Sequence, residues 1–183
     1  MKIEHFTDPR DGRTYRTAKI GGQVWMAENL SFTIDNAIGC YYENDEKYKK
    51  YGRLYDWVEA LTIAPEGWHL PTKEEWERMT AFIGGDGVEG KKLKAKTGWH
   101  KDCNGNGTDE YGFSALPGGY GYSFGSFDNV GGSGSWWSAS EFSSYNAYSR
   151  RMLYDGENAY WGNYNKSYLF SVRCVKDECV ENS

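Results

Sequence analysis

Between Ser135 and Phe170 the chain reads SWWSASEFSSYNAYSRRMLYDGENAYWGNYNKSYLF, with eleven aromatic residues and only two of the Ile, Leu or Val class. Folding must bury apolar area to offset the loss of chain entropy, so a core built here is built from rings. Two uses of the rings compete. In one, Trp and Tyr fill an interior short of aliphatics. In the other, some of them stand in water as a binding face. Trp136 and Trp137 are adjacent and would point to opposite faces of a strand, which puts at least one inside. In NAYSRRMLYD the even positions carry Asn146, Tyr148, Arg150 and Tyr154, and the odd ones Ala147, Ser149, Arg151 and Leu153. Neither set is cleanly apolar, so at least one face is expected to meet solvent or a partner. Tyr, Trp, Ser, Gly, Asn and Arg together are also the composition of a paratope, in which rings supply contact area and small polar residues adapt their hydrogen bonds.

The rest of the chain sets limits. Its 183 residues suit a single domain, residues 1–183 with a core of about 6–177. A net charge of −5 gives no basic field for nucleic acid, and no run of apolar residues approaches a membrane span. MKIEHFTDPRDGRTY lacks the apolar run of a signal peptide; a removed leader stays open. Cys40, Cys103, Cys174 and Cys179 contain no CxxC pair and allow three pairings.

Local patterns predict scaffold elements. Gly21-Gly22 is a hairpin turn between RTYRTAKI and QVWMAENL, and Pro9 to Gly12 a second turn. Leu54, Trp57, Val58 and Leu61 share one helical face. In PTKEEWERMTAFIGG, Thr72 and Glu75 form a capping box. Trp76, Met79, Phe82 and Ile83 form the buried stripe that follows, and Gly84 ends the helix. Twelve of 23 glycines fall between Gly105 and Gly162, which predicts long loops and short strands. SYLFSVRCVKD alternates as a strand, with Leu169, Ser171, Arg173 and Val175 on one face and Phe170, Val172 and Cys174 on the other. Two helices, short antiparallel strands and a glycine-rich loop region make an α+β fold.

Chemistry-bearing motifs are few. Asp102, Asn104, Asn106, Thr108 and Asp109 resemble the front half of a calcium loop, but Phe113 stands where its bidentate Glu belongs, and an Asx-rich turn explains the same residues. Calcium is therefore the one candidate cofactor; otherwise none is expected. His5, His69 and His100 have no partner at metal spacing, and there is no phosphate loop, nucleophile elbow or HExxH. Binding therefore competes chiefly with a structural role in a larger assembly. The residues expected to meet a protein or glycan ligand are Tyr145, Asn146, Tyr148, Arg150, Tyr154, Asn158, Tyr160, Trp161, Asn163 and Tyr164.

Six blocks carry a family likeness in order: DPRDGRTYRTAKIGGQVWMAENL, YENDEKYKKYGRLYDW, GWHLPTKEEWERM, GNGTDEYGFSALPGGY, WWSASE and SVRCVKD. The run resembles the Fibrobacter succinogenes major paralogous domain. That likeness implies a C-type lectin-like fold of the formylglycine-generating enzyme branch, in an exported bacterial surface protein, often a lipoprotein, with ligand contacts just before the final strand. Enzymes of that branch hold copper on a cysteine pair before the last strand. Ser138 to Tyr168 here contains no cysteine, which implies a non-catalytic domain, with an enzyme of that branch kept as an alternative beside the structural role. The likeness also implies a cysteine near Tyr48 that this chain lacks, so Cys40 pairs elsewhere or stays reduced; Cys40 with Cys174 is the first pair expected, with Cys103 and Cys179 as the other.

Overall fold

A computed structural model describes residues 4–33, 46–85 and 87–178. Two five-stranded sheets organise the chain. In order along it come β1 (Glu4–Thr7), β2 (Thr14–Ile20), β3 (Gln23–Met26), α1 (Glu46–Lys49), β4 (Leu54–Tyr55), α2 (Trp57–Thr62), β5 (Trp68–His69), α3 (Lys73–Phe82) and α4 (Glu89–Leu93). The second half holds β6 (Tyr120–Gly121), β7 (Phe127–Asp128), β8 (Ser133–Glu141), β9 (Asn146–Leu153), β10 (Ala159–Asn165), β11 (Phe170–Ser171) and β12 (Val175–Lys176). The first sheet runs β1-β2-β3-β12-β5, the second β10-β9-β8-β11-β4, and β6 pairs β7. Every pairing is antiparallel except β11 on β8.

This corrects the α+β, C-type lectin-like expectation: the chain is mostly β, with 34% strand against 14% helix. The balance moved in the Gly- and Ser-rich half. There β8, β9 and β10, at nine, eight and seven residues, form a continuous meander where loops and short strands were expected. Small residues permit it, because a strand buried on both faces has little room beside two tryptophans. Ser133 to Ser138 are all buried, with Trp136 and Trp137 each at 0% exposure.

The tryptophans divide two cores. Trp136 joins Ile20, Trp25, Trp76, Met79, Leu93, Phe113 and Met152. Trp137 joins Tyr15, Met26, Tyr55, Trp57, Phe170, Val172 and Cys174. The expected C-terminal strand is split. Its first part, β11, belongs to the second sheet and its last, β12, to the first, so the chain crosses between sheets at residues 172–174. Its predicted alternation nonetheless sorts the cores, with Phe170, Val172 and Cys174 in one and Val175 in the other.

Helix α3 follows its sequence signal. Thr72 accepts from Glu75 N, and the Glu75 side chain returns to the Thr72 N–H. Gly85 N donates to Thr80 O at the C-terminus, closing the helix beyond Gly84. Trp76, Met79 and Ile83 are buried; Phe82 is 58% exposed and is not part of the stripe. The helix expected around residues 54–61 is shorter. Leu54 lies in β4, and a capping box between Asp56 and Glu59 starts α2 at Trp57. Its buried residues are Trp57 and Ala60, whereas Val58 and Leu61 face solvent. The Gly21-Gly22 hairpin forms, pairing Ile20 with Gln23. Among the described residues no helix is long and apolar enough to cross a membrane.

Candidate functional site

Register assigns the meander's side chains to two faces. Asn146, Tyr148, Arg150 and Met152 stand opposite Asn165, Asn163, Trp161 and Ala159. Ala147, Ser149 and Arg151 stand opposite Tyr164, Gly162 and Tyr160. The first face turns to the core closed by α3 and α4, since Met152 and Ala159 pack there with Trp76 and Leu93. The second turns to the other core, where Ala147 and Tyr164 meet Trp137 and Phe170.

The ten expected ligand contacts do not form one patch. Asn146, Tyr148, Trp161 and Asn163 lie together on the open end of the first face. Asn146 Nδ2 donates to Asn163 Oδ1 at 3.2 Å, Tyr148 meets Trp161 edge-on at 5.9 Å, and Lys73 Nζ sits 5.7 and 5.3 Å from those two rings. Tyr145 is 75% exposed in the β8–β9 connection. Tyr154 packs edge-on against His100, and the Asn158 backbone packs against Gly90. Tyr160 and Tyr164 belong to the opposite face. Arg150 is not presented at all. At 1% exposure it reaches Glu89 Oε1 at 3.3 Å and lies over Trp161, and this buried pair ties α4 to the meander.

A concave, ring-lined feature is on the second face. A small cleft is lined by Tyr120, Tyr122, Ser135, Arg151, Tyr164, Tyr168 and Phe170. Gly121 brings its walls together: it exchanges two hydrogen bonds with Leu169, each 2.9 Å, which sets Tyr120 and Tyr122 beside Tyr168 and Phe170. A Cβ at Gly121 would come within 2.8 Å of Phe127 and 3.0 Å of Leu169, so only glycine allows this approach. The rings hold one another at centroid distances of 5.5 Å for Tyr120–Tyr122, 5.3 Å for Tyr122–Tyr168 and 5.7 Å for Tyr164–Tyr168. Phe124, 78% exposed, stacks on Tyr122 and extends the aromatic wall outward.

Arg151 supplies the charge of this cleft. Its Nη1 donates to the Tyr164 hydroxyl at 3.0 Å, and its guanidinium lies 5.7 Å from the Tyr120 ring centre. Nε is buried without an acceptor, and among the described residues no carboxylate pairs with it. The Tyr122 hydroxyl donates to that of Tyr120; this bond and burial push the Tyr120 phenol up to about 12, so it stays protonated at neutral pH. Of the cleft residues only Tyr164 was expected from sequence. The segment GYGYSF nevertheless carried the signal, with Tyr120, Tyr122 and Phe124 at alternate positions.

The segment 102–109 does not gather oxygens. Asn106 Oδ1 accepts from Trp99 N, Thr108 Oγ1 donates to Lys91 O and Glu110, and both Asp109 oxygens accept from Ser114. Its glycines serve close packing: a Cβ at Gly107 would fall 2.0 Å from Lys94 O, and one at Gly105 2.3 Å from His100 O. The surface beside Asn104 and Asn106 presents Lys91 and Lys101, an unsuitable setting for a cation. Among the described residues no three His, Cys, Asp or Glu side chains are grouped to hold a metal. Cys103 is a free exposed thiol and Cys174 a free buried one, pushed up to about 12 by burial. Cys40 and Cys179, their expected partners, lie outside the described residues.

No curated protein and no solved structure matches this chain. A family model described as the Fibrobacter succinogenes major domain matches residues 18–176, a span that holds both sheets' central strands, both core tryptophans of β8 and the whole tyrosine cleft. The chain therefore belongs to the Fibrobacter succinogenes major domain family.

Proposed function

We propose that this is a non-catalytic recognition domain of an exported bacterial surface protein, holding a protein or glycan ligand in the tyrosine cleft. The observation that carries the reading is Arg151: a guanidinium with no carboxylate partner among the described residues, set among four tyrosines in a concave site. Rings at such a site release water from large flat surfaces on binding, and polar groups fix orientation. The lining holds no histidine, thiol or carboxylate to act as base or nucleophile, which supports binding over turnover. The reading needs neither metal nor cofactor. Export is supported by the likeness of the six sequence blocks.

A glycan and protein array read with wild type, Tyr122→Ala and Tyr148→Ala tests it. Tyr122→Ala is expected to abolish the signal with the melting temperature unchanged, while Tyr148→Ala, on the opposite face, leaves it intact. The reverse result would move the site to the Tyr148–Trp161 edge and refute the cleft.

A further inference from the structure

Resting on the reading of the tyrosine cleft as the binding site, we infer that its ligand is an acidic sugar: a hexuronate ring whose carboxylate pairs with Arg151. Three observations converge on this chemistry. The first is charge. Arg151 uses one donor on Tyr164, its Nε has no acceptor, and no acidic side chain lines the cleft. A guanidinium offers a planar fork that matches one carboxylate. No lysine or second arginine lines the cleft, so a dianionic phosphate would stay under-compensated.

The second is the kind of surface. Tyr120, Tyr122, Tyr164 and Tyr168 offer ring faces for the C–H faces of a pyranose. Among the described residues the Tyr168 hydroxyl has no hydrogen-bond partner and is available to a sugar hydroxyl. The third is what the floor lacks. An extended peptide is captured by main-chain pairing to a sheet edge. Ser135, Arg151 and Phe170 sit on β8, β9 and β11, each flanked by a neighbouring strand on both sides in the order β10-β9-β8-β11-β4. The floor therefore recognises through side chains alone.

Calorimetric titration of the whole chain tests the inference. The probes are oligosaccharides of galacturonate, glucuronate and mannuronate, each beside its carboxyl-reduced neutral form. At least one acidic series should bind, with its neutral form weaker on the order of tenfold or more. Arg151→Gln should bring the two forms to nearly equal affinity with an unchanged melting temperature, and Tyr164→Phe should lower affinity while keeping the acid preference. Equal binding of acidic and neutral sugars, lost in Tyr122→Ala, overturns the acid inference but leaves the cleft reading standing. Binding of no sugar, together with Arg151-dependent binding of a peptide carboxylate, overturns the sugar and keeps the carboxylate. Binding of none of these overturns the inference outright, and the cleft then rests on the array result alone.

Discussion

Replacing Glu89 by Gln should destabilise the chain far more than its single-atom change suggests. Glu89 and Arg150 side chains are both 2% exposed, with Glu89 Oε1 accepting from Arg150 Nη2 at 3.3 Å and from Ala159 N at 3.0 Å. Oε2 accepts from the backbone of Gly87 at 2.7 Å and Val88 at 3.0 Å. Both oxygens thus face N–H donors, so a glutamine NH₂ group meets donors whichever way the amide is turned. The buried guanidinium also loses its countercharge. Breaking a buried pair from one side costs about 3 to 5 kcal/mol. For a chain of this size that lowers the melting temperature by roughly 6 to 20 °C. Urea unfolding followed by circular dichroism would measure the loss. Glu89→Gln combined with Arg150→Met, which removes the stranded charge, should recover about half of it. A Glu89→Gln cost under about 1 kcal/mol, or a double variant as unstable as the sum of the singles, would refute the account of this pair.

Three further outcomes follow from the geometry. Asn29 Oδ1 accepts from Trp136 Nε1 and from Nε and Nη2 of the fully buried Arg173, and its Nδ2 donates to Tyr51 O and Ser171 Oγ, so Asn29→Ala should cost about 3 kcal/mol or more in urea. His69 is bridged by Asp177 at 2.6 Å and Glu75 at 2.8 Å; burial opposes the charged ring, but these bonds raise its pKa above the ordinary 6.5. Its contribution is then complete below the unfolded value and lost as pH rises through the folded one, so thermal scans from pH 6 to 9 should show a fall that His69→Gln flattens. Thr72→Ala removes the α3 cap and should cost about 1 kcal/mol by the same urea assay, with Thr72→Ser restoring most of it.

Where local chemistry decides structure, the sequence could be read. The Thr72–Glu75 box and Gly21-Gly22 turn are set by neighbouring atoms, and the alternation through residues 170–175 sorted two cores, although Leu169 packs apart with Leu54. Helix α2 was misplaced because its apolar spacing was weighed without its start signal. Asp56 and Glu59 have the same three-residue spacing as Thr72 and Glu75, and they put Leu54 outside the helix. The choice between Arg150 and Arg151 was harder. Adjacent strand residues face opposite sides, so one step of parity separates a core ion pair from a cleft guanidinium. Parity becomes decisive only once α4 is known to deliver Glu89 to the even side. Tyr120 and Tyr122 were out of reach for a related reason: they meet Tyr168 through the Gly121–Leu169 pairing across 48 residues, which no window of sequence displays.

The scarcity of aliphatics and the abundance of rings can now be given one cause. A meander with Trp136 and Trp137 buried on opposite faces needs little side chain at the positions flanking them and across from Trp137. Ser135, Ser138, Ser149 and Gly162 supply that economy. Small residues at a strand's centre leave a hollow beyond the reach of the neighbouring tryptophan, and Ser135 beside Arg151 is such a place. Aliphatic side chains would close the hollow. Tyrosines around its rim keep it open, because each ring packs on its neighbours while its hydroxyl meets water, Arg151 or another hydroxyl. Phe170, at the buried end of the same ring cluster, carries no hydroxyl and needs none at 1% exposure. The switch from Phe inside to Tyr at the mouth marks where the core ends and the cleft begins.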